Sequence, residues 1–227
     1  EPSYVWHWFN RGSVLKELGR NDEAIVMINR ALAIDPKHAN SFAKLGQIYR
    51  IQNKLRDSLK AYEKAVAIQT DYAWAHNGYG LTLRAMNRLE EAILAFRRAI
   101  RHQPDGIWNW YNLAETLVDI ENYLEALNPA EEITRLDPTF AYGWGKLGQV
   151  HRKINRMEDA LDAYNKAIAL DPNYAWAING KGLVLEHLER YEEALDAYQR
   201  ATEIKPKSAW YWHNQGNALY LMTRYDE

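Results

Sequence analysis

Large apolar and small residues recur three and four positions apart along most of this chain, with polar residues filling the rest of each period. Trp110, Leu113, Ala114 and Leu117 follow that spacing, as do Trp144, Leu147 and Gly148, which puts each set on one face of a helix. A second helix is predicted after each of these. In Arg190-Tyr191-Glu192-Glu193-Ala194-Leu195 the early acids suit the positive end of a helix dipole. Ala194, Tyr198 and Ala201 then form its inner face. Gly19, Asn53, Asn87 and Asn155 should end the first helices, because Gly and Asn tolerate the left-handed conformation. Proline closes the second helices at Asp35-Pro36, Asp137-Pro138, Asp171-Pro172 and Lys205-Pro206, since it lacks the donor that a helix interior needs.

These signals repeat. Pro2, Pro36, Pro104, Pro138, Pro172 and Pro206 stand on a 34-residue grid that only Thr70 breaks. Units begin at Val5, Ala39, Ala73, Ile107, Ala141, Ala175 and Ala209, which gives six helix–turn–helix units and a partial seventh. A longer period of 102 residues lies over the first. Trp6, Trp8 and Asn10 return as Trp108, Trp110 and Asn112, and again as Trp210, Trp212 and Asn214. Lys44-Leu45-Gly46-Gln47 returns as Lys146-Leu147-Gly148-Gln149, and Tyr72-Ala73-Trp74 as Tyr174-Ala175-Trp176. Duplication of a three-unit block is the simplest history of that pattern.

The spacing of Trp144, Leu147, Gly148, Ala160, Tyr164, Ala167 and Pro172 resembles the tetratricopeptide repeat pattern. Phe42, Leu45, Gly46, Tyr49, Tyr62 and Ala65 follow it in the second unit; Gly80, Leu83, Ala92, Phe96, Ala99 and Pro104 follow it in the third. The resemblance covers essentially the whole chain. It implies an all-α fold, a right-handed superhelical solenoid of antiparallel helix pairs, running as one array over residues 1–227. It also implies a scaffold that binds an extended peptide or partner segment in a concave groove. A pentatricopeptide array would repeat at 35 and lacks this Gly/Ala/Pro signature. The fourth unit departs from the pattern at Ala114, Ala130 and Pro129, so its second helix is expected to kink or start late, with a local change of curvature.

Composition narrows the chemistry. Without cysteine there is neither a disulfide framework nor a Cys-ligated metal. No apolar run approaches the roughly 18 residues that span a bilayer, so membrane insertion is not expected, and a soluble, cytoplasmic protein is. A net charge of −2 gives no bulk attraction to nucleic acid. Residues 1–106 nevertheless carry 16 basic and 11 acidic side chains, against 12 and 19 in residues 107–227. Solvated outer faces account for that asymmetry; head-to-tail association or a partner with a complementary dipole is the sharper reading. Pro2 and Tyr225-Asp226-Glu227 fall mid-pattern, from which a longer protein with uncapped ends, open to self-association, is expected.

The seven His are scattered, and none makes a His-Glu-x-x-His pair. A phosphate loop and a nucleophile elbow are also missing, so no catalytic residue, metal or cofactor is assigned and no enzyme is expected. Nine Trp and fifteen Tyr against four Phe are instead the unusual feature. Trp8, Trp110, Trp144 and Trp212 hold the position that packs within the repeat, where burial of about 150–250 Å² each is expected.

Trp6, Trp74, Trp108, Tyr142, Trp176 and Trp210 lie two residues earlier, about 200° away around the helix. In arrays of this family that place looks toward the groove, so these six rings are the candidate binding stripe. Tightening of the superhelix by ring packing is the competing account. Asn10, Asn112 and Asn214 come four residues after a stripe Trp, while Asn77 and Asn179 come three after theirs, on the same helical face. A row of amides can clamp a peptide backbone. The row resembles the asparagine ladder of O-linked N-acetylglucosamine transferase arms, although Lys44 and Lys146 replace Asn in units two and five. The lysine–asparagine carboxylate clamp of chaperone-binding arrays is not found in register. A regulatory or sensor arm of a larger enzyme or switch protein, a self-assembling solenoid, and a stacking site for single strands or sugar remain alternatives.

Overall fold

The computed structural model describes residues 2–225. Thirteen helices follow one another, with no strand among the described residues. The first helices of the units are α1 (Pro2–Glu17), α3 (Ala39–Ile51), α5 (Ala73–Ala85), α7 (Ile107–Asp119), α9 (Ala141–Lys153), α11 (Ala175–His187) and α13 (Ala209–Tyr225). The second helices are α2 (Asn21–Ile34), α4 (Leu55–Ile68), α6 (Leu89–His102), α8 (Tyr123–Leu136), α10 (Met157–Leu170) and α12 (Tyr191–Ile204). The chain forms two compact units, one up to Thr116 and the other from Leu117.

The six first helices from α1 to α11 end in the same turn. Gly19, Asn53, Asn87 and Asn155 have positive φ, as their residue types predict. Glu121 and Glu189 adopt it too, at φ 59° and 60°, although nothing in a glutamate favours that conformation. The repeat imposes it through a six-residue bond that caps the helix. Arg20 N–H donates to Leu15 C=O, and Arg88, Asn122 and Arg190 donate to Leu83, Leu117 and Leu185, all at 2.9 Å. The same residue then supports the next helix. Arg20, Arg88 and Arg190 each hold the glutamate three residues on (Glu23, Glu91, Glu193) through two bonds of 2.6–2.7 Å. At the other end the closing aspartates brace the proline turn. Asp35, Asp137 and Asp171 leave the helix extended and accept the N–H two residues ahead, from Lys37, Thr139 and Asn173.

Pro129 does not delay its helix, so the expected late start is corrected. α8 starts at Tyr123, at the same point in its unit as every other second helix, and runs through the proline to Leu136. The ring is buried, as is Ala130.

The cores pair small residues with large ones. In the first unit Leu15, Ala24, Ile28, Leu45, Ile48 and Ala61 cluster. Tyr62 crosses from α4 between α3 and α5; a Cβ on Gly46 would come within 2.7 Å of its ring, and one on Gly78 within 2.3 Å. Tyr164 repeats this in the second unit, with Gly148 and Gly180 at 2.9 and 2.5 Å. These glycines let the first helices close around a buried tyrosine.

Candidate functional site

Successive first helices pack directly on one another, α1 on α3 and α3 on α5 in the first unit, α9 on α11 and α11 on α13 in the second. Residues at the second position of a unit therefore stand in rows. Five of the six stripe rings are exposed: Trp6, Trp74, Trp108, Tyr142 and Trp210, from 37 % at Trp74 to 60 % at Trp108. Trp176 is half-buried. All six also meet other aromatic rings. Trp6 packs edge-on to Phe9 and His38, Trp108 to Tyr111, and Trp210 tilts against Tyr211. Tyr142 lies 4.7 Å from Tyr174, and Tyr174 stacks on Trp176. Each ring is thus held by neighbours while part of it faces solvent.

The packing-position tryptophans differ from expectation. Trp110 and Trp144 are half-buried, and Trp212 is 52 % exposed. Their indole N–H groups donate to Pro104, Pro138 and Pro206 carbonyls at 2.7–2.9 Å. The ring latches each first helix to the turn that closes the preceding unit, which keeps its outer face in water. Cations from the paired second helix cover that face, with Arg30 over Trp8 at 4.6 Å and Lys166 over Trp144 at 4.3 Å.

The asparagines are spent partly on each other. Asn112 Nδ2 donates to Asn77 Oδ1 at 2.9 Å, and Asn214 Nδ2 donates to Asn179 Oδ1 at 2.8 Å. Asn112 and Asn214 are buried, Asn179 is fully so, Asn77 is half-buried and Asn10 is exposed. In these two rows the amides bind helix to helix. Beyond them Arg84 pairs with Glu115 at 2.6 Å, and 102 residues later Glu186 accepts from Asn217 at 3.1 Å.

Sequence reasoning passed over the residues around Trp74 and Trp176. Lys44 Nζ sits over the Trp74 ring at 5.3 Å, and Lys146 Nζ over Trp176 at 5.7 Å. Tyr62 and Tyr72 flank the first ring, Tyr164 and Tyr174 the second. Burial holds the Lys44 amine below its usual pKa; the Lys16 charge adds to this and Glu17 opposes it. Burial pushes the Tyr62 hydroxyl well up against the opposing Arg50 charge, and pushes Tyr164 up to about 12 against Arg152. The 102-residue recurrence of Lys, Tyr and Trp was the available signal.

Helix pairs at a 34-residue pitch, each closed by a proline turn, define an array of helical-hairpin repeats. Five segments match tetratricopeptide repeat models, at residues 3–71, 43–107, 141–174, 163–196 and 187–222. The chain belongs to the tetratricopeptide repeat family. No curated protein matches it in sequence. Among solved structures it is similar to YrrB, "a TPR protein with an unusual peptide-binding site", at 22 % identity and TM-score 0.71, covering 83 % of this chain and 97 % of that one. Pseudomonas aeruginosa pilF matches at 20 % identity and TM-score 0.82, over 95 % and 98 % of the two chains. The APC/C hetero-tetramer Cut9-Hcn1 matches at 17 % and 0.77, over 96 % of this chain and 43 % of that one. At such identities the likeness is one of fold.

A tetratricopeptide array is a protein-interaction scaffold, and the family is typically non-catalytic. No helix is long and apolar enough to cross a membrane, and no group of three metal-ligating side chains occurs among the described residues.

Proposed function

We propose that this protein holds an extended peptide segment of a partner against the face formed by its first helices. The observation that carries the reading is the row of exposed rings at one repeat position, each braced from behind by other aromatics. Exposed tryptophan is costly to keep in water and is enriched where partners dock. The peptide-binding site named for YrrB, a repeat protein of the same fold, is consistent with this use. Asn10 and the outward edges of the Asn77 and Asn112 pair lie along the same face, where they offer polar contacts to a backbone.

The test is a selection of random peptides on the wild-type protein, repeated on Trp74→Ala/Trp108→Ala/Trp176→Ala after circular dichroism and a melt establish that it folds. Selected peptides should bind the triple variant about tenfold or more weakly. Equal binding to both proteins would assign the rings to packing alone.

A further inference from the structure

The carbonyl of the residue that closes a unit is held by a side chain. Trp110, Trp144 and Trp212 hold those of Pro104, Pro138 and Pro206, and Arg200 holds that of Pro172. At Thr70 the holder is His76, whose Nε2 lies 2.8 Å from the carbonyl oxygen. A carbonyl only accepts, so Nε2 carries the proton of the neutral ring. Of these five donors, His76 alone changes charge near neutral pH.

Three departures from the repeat meet at this point. Thr70 is the one break in the proline grid, His76 stands where four other units have Trp, and His102 stands where the others have Ile or Leu. The rings of His76 on α5 and His102 at the end of α6 stack at 5.7 Å, within 15° of parallel. In the sixth unit, 102 residues on, the same places hold Pro172, Ile178 and Ile204, and both isoleucines pack in an apolar cluster with Ala175, Ala201 and Tyr211. The third unit thus buries an imidazole where its counterpart buries hydrocarbon.

Burial holds His76 below the ordinary imidazole value of 6.5; the bond to Thr70 opposes this, and the His102 and Arg98 charges add to it. Both of those groups come from α6. Among the described residues, α3, α4 and Asp71 of the turn supply no charge that acts on the ring. Residues 107–111, which open α7, carry no charged side chain. The unfolded chain therefore takes up this proton first as pH falls, and the stability present above pH 6.5 is lost below it. Arg98 is the counterpart of Arg200, which already holds the Pro172 carbonyl.

We propose that Thr70, His76 and His102 form an acid-released joint between the second and third units, in which Arg98 takes the Thr70 carbonyl once His76 leaves. Trp74 stands two residues before His76 on α5, so release shifts it out of the row of rings. That consequence rests on the stripe being the peptide site and adds its regulation; the joint itself does not depend on it.

The experiment is amide hydrogen exchange at pH 7.5 and 5.5, corrected for the intrinsic effect of pH, with α11 as the internal reference for α5. Burial also lowers His38 at the start of α3 and His151 on α9, so the whole chain weakens in acid and the comparison of helices isolates the joint. Protection of α5 relative to α11 should fall about fivefold or more in the wild type. It should not change in His76→Ile/His102→Ile, which carries the residues of the sixth unit. His102→Gln, at an exposed position that leaves the core intact, should show a smaller fall than the wild type. Equal losses in α5 and α11 of the wild type, or a loss that persists in the isoleucine variant, would overturn the proposal. Peptides selected on the wild type at pH 7.5 should bind it about fivefold more weakly at pH 5.5, and the isoleucine variant equally at both. Binding indifferent to pH while α5 opens would keep the joint and remove Trp74 from the peptide site.

Discussion

The side-chain amide of Asn214 donates to that of Asn179 at 2.8 Å, and the bond joins α13 to α11 out of reach of water. Asn112 and Asn77 make the same bond between α7 and α5. Arg84 with Glu115 and Asn217 with Glu186 join the same helices further along, and the amide pairs add the buried tie between them. Removing one partner leaves a buried polar group unpaired. Asn179→Ala should cost about 1–3 kcal/mol, and the double variant with Asn214→Ala should recover part of that loss. Urea unfolding of the four proteins of the cycle measures it, and strictly additive losses would refute the coupling.

The glycines around Tyr62 predict a contrast. At Gly78 a Cβ would lie 2.3 Å from the Tyr62 ring, whereas at Gly216 nothing stands within 4 Å. Gly78→Ala should therefore destabilise by about 1–3 kcal/mol through overpacking. Gly216→Ala, on the exposed face of α13, should stabilise by about 0.5–1 kcal/mol, since only helix propensity changes. Thermal melts moving in the same direction for both variants would contradict the packing account.

Glu189 is the third case. Its φ of 60° is imposed by the capping turn and suits no glutamate. Glu189→Gly should raise stability by about 1 kcal/mol, and Glu121→Gly should do the same in the fourth unit. Asn155→Gly, where the residue already tolerates the conformation, should change little. A melting temperature unchanged by Glu189→Gly would show the turn to be unstrained.

These turns also mark how far the sequence can be read. Gly19 and Asn53 announce the left-handed residue by their chemistry, and proline announces the close of a unit, because both act within a few bonds of their own backbone. Glu121 and Glu189 do not, since the 34-residue frame places them there against their own preference. The stripe at Trp74 and Trp108 was legible as a position on a helix. That Asn112 turns to Asn77 instead of solvent depends on how closely two helices approach, which glycines and tyrosines on other elements decide. Lys44 was visible as a break in the asparagine row and as part of the 102-residue recurrence; its place over Trp74 involves a residue one unit away.

Tyr164 gives the pH dependence. Burial between Gly148 and Gly180 disfavours its phenolate, and although the Arg152 charge works in the other direction, the hydroxyl is pushed up to about 12 from an ordinary 10.0. The folded protein therefore retains a proton that the unfolded chain releases first. The stabilisation is complete below pH 10 and is lost as pH rises toward 12, by roughly 3 kcal/mol for a shift of this size. Burial pushes Tyr62 and Tyr198 the same way, so the alkaline transition of the wild type sums over several rings. Urea midpoints should stay level from pH 8 to 9 and fall steeply above 10. Tyr164→Phe has no proton to release at that site, so its midpoint should fall less steeply, whatever stability it has lost at neutral pH. An identical slope in the two proteins would mean that the Tyr164 hydroxyl is not shielded in solution as it is between these two helices.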